Sequence, residues 1–359
     1  RASSATRVNK DGLIEEVAVN VPRLDYSDGG CPSLLLEPSR ANLIIYSNGF
    51  DNASWAKAGG GSATAPTVSE NQGISPDGLN NAFKVELNLN GGTTSSDRSR
   101  LTDSFTGVTS TDYTFSFYAK AYSSSDVGKV LKFSVDNSSG DALFTLTSEW
   151  KRFVFVGLSS STNINQHIQL RGNEGTSDSV TILLYGYQAE QGSYATSYIP
   201  TSGIVVTRVA ENIALTLPDN ASFNSSSGFT ILGEFVSNGG GGSSSSFIQV
   251  NGSVGYLGFG STGAVFRGRV NNGTANELFN SSSSIFTYSK LAISVDSNGF
   301  SMYADGVSFA SGSADFSVIN SLNSVSFRSS TEEFGSLRIL DFRIYNTALT
   351  DAEKQQLTT

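Results

Sequence analysis

In the run DYTFSFYAKAY, residues 112–122, apolar and polar side chains alternate one by one. A strand sends successive side chains to opposite faces. Tyr113, Phe115, Phe117, Ala119 and Ala121 are therefore expected on one side, with Thr114, Ser116, Tyr118, Lys120 and Tyr122 on the other. The pattern continues through GKVLKFSVDN, DALFTLTSEWKRFVFVGL, NQHIQLRG and DSVTILLYGYQAE, separated by Ser, Asn, Gly and Asp turns. Short antiparallel strands at this spacing predict a β-sandwich or jelly roll. In the last run, Val180, Ile182 and Leu184 are expected to point one way and Leu183, Tyr185 and Tyr187 the other.

From about Ile204 to Thr359 the same style returns in GFTILGEFVS, SFIQVNG, VGYLGFGSTGAVFRGRV, YSKLAISVDSNGFSMYADGVSFA and FGSLRILDFRIYNTAL, joined by Asn-Gly, Thr-Gly and Asp-Gly turns. This predicts a second sandwich, and a chain of 359 residues is long enough for two cores. With 23 Phe and 13 Tyr against one Met and one His, the composition suits pleated, half-buried surfaces. The one helix expected is TDAEKQQL, where Thr350 and Glu353 have the spacing of a capping box. The tract NGGGGSSSS, Asn238 to Ser246, reads as a mobile loop within the second sandwich.

Residues 1–42 carry more charge and proline than the residues after them. Their runs GLIEEVAVNVPR and SLLLEP flank DYSDGG, a hairpin signal, but so short a piece needs a partner surface to bury its apolar side chains. The expected organisation is all-β: an extended N-terminal arm over 1–42, a jelly roll over 43–203 and a second antiparallel sandwich over 204–359. The stretch GYQAEQGSYATSYIPTSG, Gly186 to Gly203, ends the last jelly-roll strand and is expected to lay a tail across the sheet before Pro200 leads onward.

A net charge of −9 and a pI near 4.7 argue against nucleic acid, whose binding requires neutralised phosphates. No apolar run reaches the roughly 20 residues of a membrane helix, and no signal peptide is visible. The chain begins RASSATR without Met, which suggests a processed or partial product. Cys31 is alone and reads as a packed thiol, excluding an internal disulfide framework or a thiol metal site.

The opening RASSATRVNKDGLIEEVAVNVPRLDY with CPSLLLEPSRANLIIYSNGFDNASWAK resembles tail-fibre and other virion appendage proteins of bacteriophages. EWKRFVFVG with VTILLYGYQAEQGSYATSYIPTSG resembles a carbohydrate-binding-module-like jelly roll. KLAISVDSNGFSMYADGV with LRILDFRIYNTALTDAEKQQL resembles a concanavalin- or laminin-G-like sandwich. These resemblances imply a virion protein at the particle surface that adheres to host polysaccharide, with other virion proteins and, by likeness to fibres, two further copies of itself as partners.

Glycoside cleavage uses two carboxyl groups about 5 to 10 Å apart. Glu332 and Glu333 are adjacent and would face opposite sides of a strand, Asp341 stands alone, Glu15 and Glu16 fall in the arm, and His167 is the only candidate imidazole base. A non-enzymatic protein is expected, with a depolymerase as the less favoured reading and a purely structural head or tail protein as the main rival. Sugars are held by aromatic platforms beside amide, hydroxyl and guanidinium groups. Tyr118, Lys120 and Tyr122, and His167, Gln169 and Arg171, are the candidate glycan-binding residues, and they line one surface if their strands share a sheet. Trp55 and Trp150 read as packing residues, and nothing singles out Tyr256, Arg267 or Arg269. No cofactor is expected. A structural Ca²⁺ stays open, although Asp296 and Asp305 sit in turn contexts.

Overall fold

The computed structural model describes residues 1–136, 141–174, 177–217, 227–237, 246–252, 255–262, 264–274, 276–313, 316, 322–328 and 336–359. Five short strands come first: β1 (Ala5–Val8), β2 (Ile14–Val17), β3 (Leu24–Asp25), β4 (Ser33–Leu36) and β5 (Arg40–Asn42). Ten follow: β6 (Ala56–Gly60), β7 (Thr64–Ser69), β8 (Phe83–Asn88), β9 (Arg98–Thr106), β10 (Thr111–Ala121), β11 (Val130–Val135), β12 (Ala142–Thr145), β13 (Lys151–Ser159), β14 (Asn163–Arg171) and β15 (Ser179–Gln191). Beyond them lie β16 (Val206–Arg208), β17 (Asn212–Thr216), β18 (Phe229–Ser237), β19 (Ser246–Gly252), β20 (Tyr256–Thr262), β21 (Val265–Asn271) and β22 (Asn276–Ser284). The chain ends with β23 (Ser289–Val295), β24 (Phe300–Ala304), β25 (Val307–Gly312), β26 (Leu322–Arg328), β27 (Leu337–Tyr345) and the helix α1 (Asp351–Thr358). The architecture is all-β and antiparallel, as the alternation predicts.

Two compact units emerge, one of residues 5–16 and 40–208, the other of residues 1–4, 17–39 and 209–359. The first is a sandwich of two five-stranded sheets, ordered β13-β10-β15-β8-β7 and β12-β11-β14-β9-β6. Tyr113, Phe115, Phe117, Ala119 and Ala121 all enter its core. Aromatic rings fill the space between the sheets: Phe133 on β11 stacks on Phe155 of β13 at 4.4 Å between centroids.

The β15 side chains depart from simple alternation. Val180, Ile182 and Leu184 point into the core, but so does Tyr187, while Tyr185 joins Tyr198 and Ile14 in a separate small cluster. The cause is a bulge. The β10–β15 register shifts between Ser116 and Tyr118, and Gly186 takes a φ of 62°, a conformation open to glycine. The extra residue reverses the parity beyond it and puts Gln188 and Glu190 on the outer face.

Both are nevertheless fully buried, because the chain after β15 folds back over them. Gln188 Oε1 accepts from Ile199 N at 2.6 Å, Glu190 Oε2 accepts from Thr196 N at 3.0 Å, and Asn42 Nδ2 donates to Ile199 O at 2.9 Å. These side chains supply the hydrogen bonds that a strandless tail cannot find in a ladder. The tail lies across the sheet, as its sequence predicts.

Residues 1–42 divide rather than forming one arm. The β1–β2 hairpin belongs with the first sandwich, where Ile14 N donates to Pro76 O at 2.8 Å and Thr6 Oγ1 to Tyr198 O at 2.5 Å. Residues 17–39 belong with the second, where β4 pairs with β27 and brings β3 with it. Strands this short gain a hydrophobic face only by extending a larger sheet or packing on one.

The second unit stacks a six-stranded sheet, β17-β26-β19-β20-β21-β22, on a seven-stranded one, β25-β24-β23-β18-β27-β4-β3. Phe229, Ile231 and Phe235 meet Ile248, Leu257, Phe259 and Phe266 in its core. Arg23 is buried in this unit, its guanidinium 2.8 Å from Glu37 and 2.7 Å from Glu211. The capping box of α1 is present: Thr350 Oγ1 accepts from Glu353 N, and Glu353 Oε2 accepts from Thr350 N at 2.8 Å. Residues 238–245 of the glycine–serine tract lie outside the described residues.

Candidate functional site

On the outer face of the β12-β11-β14-β9-β6 sheet, β9 presents Arg98, Arg100 and Thr102 and β14 presents Arg171, Gln169 and His167. Their partners toward the core, such as Leu101, Ile168 and Leu170, are buried there. The antiparallel register sets Arg98 opposite Arg171, Arg100 opposite Gln169 and Thr102 opposite His167. From β11, Ser134 stands opposite His167. The three arginines, Ser134, His167 and Gln169, with Asp136 and Asp141, line a cavity of about 310 Å³.

The floor of the cavity is built from buried polar groups. Gln169 is 2% exposed and donates from Nε2 to Ser134 Oγ at 2.6 Å, leaving its Oε1 without a partner among the described residues. His167 Nδ1 is 2.8 Å from Thr102 Oγ1. Its Nε2 lies 3.1 Å from Asp136 Oδ1. Burial pushes the imidazole below its ordinary pKa, with Asp136 opposing the shift, so His167 is neutral near pH 7.

Charge changes along the strands. At one end stand Arg98, Arg100 and Arg171. Burial, followed by the neighbouring charges of Arg98 and Arg171, draws the Arg100 guanidinium below its usual pKa, while Asp136 acts against the shift. None of the three has a carboxylate within ion-pair distance among the described residues, and Nε of both Arg100 and Arg171 lacks an acceptor. Arg171 Nη2 donates to Ser95 O at 2.7 Å, which anchors its head. At the other end, Asp136 meets His167 and Asn165, and Asp141 pairs with Lys132 at 3.1 Å.

The six candidates from the sequence therefore do not line one surface. His167, Gln169 and Arg171 share the cavity on β14, but Tyr118 and Lys120, with Tyr122 just beyond, belong to β10 in the opposite sheet. Alternation assigns a face within a strand and leaves the choice of sheet to long-range pairing. Tyr118 is moreover packed against Tyr185 and Tyr198 under the Arg152 guanidinium, 5.5 Å from its ring. Lys120 sits 5.4 Å over Trp150, and Tyr122 is exposed beside Lys84. Sequence reasoning missed Arg98, Arg100 and Ser134, although the i, i+2 spacing of the two arginines places both on one face.

Trp55 is buried in the core and donates from Nε1 to Tyr46 O at 2.9 Å; Trp150 is half-buried and donates to Ile74 O at the same distance. Cys31, expected as a packed thiol, is exposed because it follows the Asp28-Gly29-Gly30 turn rather than lying within a strand. In the second unit Arg269 lies 5.0 Å over Tyr256, and Arg267 donates to Asn280 at 2.8 Å. Of the acids considered for hydrolysis, Glu15 is held by Arg7 and Asn9, Asp341 pairs with Arg343 at 2.7 Å, and Glu332 and Glu333 lie outside the described residues. Among the described residues no three His, Cys, Asp or Glu side chains converge as metal ligands do. Asp296 serves its own turn, accepting from Asn298 N at 2.7 Å.

Residues 210–353 match the family model of the concanavalin A-like lectin/glucanases superfamily, Laminin_G_3. No curated protein matches the chain. Among solved structures it is similar to a receptor binding domain, at 17% identity and a TM-score of 0.35 over 42% of this chain and 40% of that one. It is also similar to the CBM40 of Ruminococcus gnavus IT-sialidase bound to α2,3-sialyllactose, at 14% identity and a TM-score of 0.30 over 38% of this chain and 85% of that one. A third likeness is to botulinum neurotoxin type C, at 15% identity and a TM-score of 0.35 over 42% and 39% of the two chains. The chain thus spans well under half the length of the first and third of these structures.

Proposed function

We propose that this chain is a non-enzymatic phage virion appendage protein that adheres to glycans on the host surface. The observation that carries this reading is the cavity of Arg98, Arg100, His167, Gln169 and Arg171: a concave, hydrogen-bonding site in which a buried amide oxygen has no donor among the described residues. Sugars offer hydroxyl donors of the kind this oxygen lacks. The lectin-type sandwich of residues 210–353 supports the same class of ligand. The resemblance of the N-terminal segment to tail-fibre proteins supports a place on the particle, next to other virion proteins. A trimer would add avidity, since linked copies raise the effective concentration of weak sites.

A purely structural role is the second reading. It is favoured by Val154, Val156 and Leu158, which are 46%, 43% and 50% exposed in a row on the edge strand β13. The test is a glycan array probed with the chain, followed by binding to host cells with and without the glycans it selects. Selective, saturable binding supports adhesion. Self-association or protein capture with no glycan bound would favour the structural reading.

A further inference from the structure

Resting on the glycan reading, we propose that the β9–β14 cavity recognises an acidic sugar residue, its carboxylate held by the Arg98, Arg100 and Arg171 guanidinium groups and its hydroxyls by Gln169 and the aspartate end. The first argument is electrostatic. Arg98 and Arg171 face each other directly across the β9–β14 pair, and Arg100 is the next outward residue on β9. Like charges placed opposite each other destabilise a sheet. Here no carboxylate among the described residues lies within ion-pair distance of any of the three. The cluster also stands out against an overall charge of −9. An anion brought in from outside would relieve the repulsion, and a carboxylate matches the planar donor fork of arginine.

The second argument is polarity along the cavity. A compact anion would need only the arginine end. The lining continues through Gln169 and Ser134, both nearly fully buried, to His167 and then Asp136. Gln169 Oε1, without a partner among the described residues, calls for a donor, and Asp136 repels a second negative group while accepting from hydroxyls. A ligand with one anionic end and a hydroxyl-rich remainder fits this gradient. A densely charged polyphosphate does not, because it would meet the aspartates as well as the acidic chain as a whole.

The experiment titrates the full chain with oligogalacturonate, oligoglucuronate and sialylated oligosaccharides, and with the same sugars after reduction of their carboxyl groups to alcohols. Calorimetry gives the affinity, and unfolding curves check the fold. At least one acidic oligosaccharide is expected to bind. Its reduced form should bind about tenfold or more weakly, as should the variants Arg100→Gln and Arg171→Gln, in line with the usual strength of hydrogen bonds to charged groups. Both variants should be at least as stable as the parent, and binding should weaken with added salt. If the reduced sugars bind equally well and Arg100→Gln still abolishes binding, the site takes neutral sugars: the acidic assignment fails while the glycan reading stands. If acidic sugars bind Arg100→Gln and Arg171→Gln undiminished, the site lies elsewhere and the assignment fails. If no acidic sugar binds but a glycan array finds a neutral ligand, the assignment again falls alone, whereas a blank array removes both.

Discussion

Asp103 on β9 and Gln166 on β14 are cross-strand partners inside the first sandwich, where every neighbouring inward position on the two strands except Ser99 is apolar. Asp103 Oδ1 accepts from Ser104 N at 2.6 Å, but its Oδ2 and both polar atoms of Gln166 have no partner among the described residues. The nearby Tyr187 hydroxyl lacks one too, and burial raises its pKa well above the ordinary value. Buried polar groups in this state need water or cost stability.

Burial pushes the Asp103 carboxyl up to about 6. A raised carboxyl pKa means that the folded chain holds a proton the unfolded chain has released. Stability should therefore fall as pH rises from about 4 to about 6 and stay lower above that, by up to about 3 kcal/mol for a shift of this size. Asp103→Asn keeps the acceptor for Ser104 N and removes the charge. Urea unfolding from pH 4 to pH 8 should show the variant more stable than the parent at pH 7, by about 1 to 3 kcal/mol, and nearly level with it at pH 4. Equal stabilities at pH 7 would mean that Asp103 is not the group responsible.

Tyr118 and Tyr122 differ in what they hold. Tyr118 packs with Tyr185, Tyr198 and Ile14 beneath Arg152, whereas Tyr122 is 46% exposed. Tyr118→Ala should cost about 2 to 4 kcal/mol of stability and Tyr122→Ala about 0.5 kcal/mol or less. Neither should alter glycan binding at the β9–β14 cavity beyond what unfolding removes. A Tyr122→Ala variant that folds normally but loses the glycan would move the site to the β10 sheet.

Within strands the sequence was readable wherever period two ran unbroken. Tyr113, Phe115, Phe117, Ala119 and Ala121 enter the core as their alternation requires, and the Thr350–Glu353 spacing marks the helix start. The reading failed where one residue or a distant pairing decides. Tyr187 faces inward because Gly186 forms a bulge, and a glycine in a strand does not declare whether it will do so. His167 and Tyr118 fall on different sheets because β14 pairs with β9 and β11, about 60 and 30 residues back in sequence. Arg98 and Arg100 look like any solvated face until β14 brings Arg171 opposite Arg98 and Gln169 opposite Arg100.

Arg23 gives the second unit a buried ion cluster with Glu37 and Glu211. Burial alone would lower the pKa of its guanidinium, but the two carboxylates outweigh that effect and raise it. Arg23→Met would remove the cation that Glu37 and Glu211 share, leaving Glu211 with Arg1 at 3.0 Å, and should destabilise the chain by about 3 kcal/mol. Arg23→Lys keeps the charge but loses the planar fork, so an intermediate loss is expected. Chemical unfolding of the three proteins checks the order. A lysine variant as stable as the parent would reduce the contribution to charge alone.

The bulge at Gly186 gives the sharpest test of how the first sandwich sets its tail. A Cβ added there would lie 3.4 Å from the Tyr198 ring and 3.5 Å from Tyr118, which is ordinary contact, so space is not the obstacle for alanine. The obstacle is the φ of 62°, which costs an L-residue about 1 to 2 kcal/mol. Gly186→Ala should lose about that much stability. Gly186→Val should lose more, because a branched side chain is stiffer and must also displace Tyr198. Loss of the bulge would restore simple alternation, turning Tyr187 out of the core and Gln188 and Glu190 toward it. The tail would then lose the acceptors that hold Ile199 and Thr196. Hydrogen exchange should accordingly report faster exchange at those two amides in Gly186→Val, while amides of β9 and β14 stay protected. Unchanged exchange at Ile199 and Thr196 would show that the tail is held independently of the bulge.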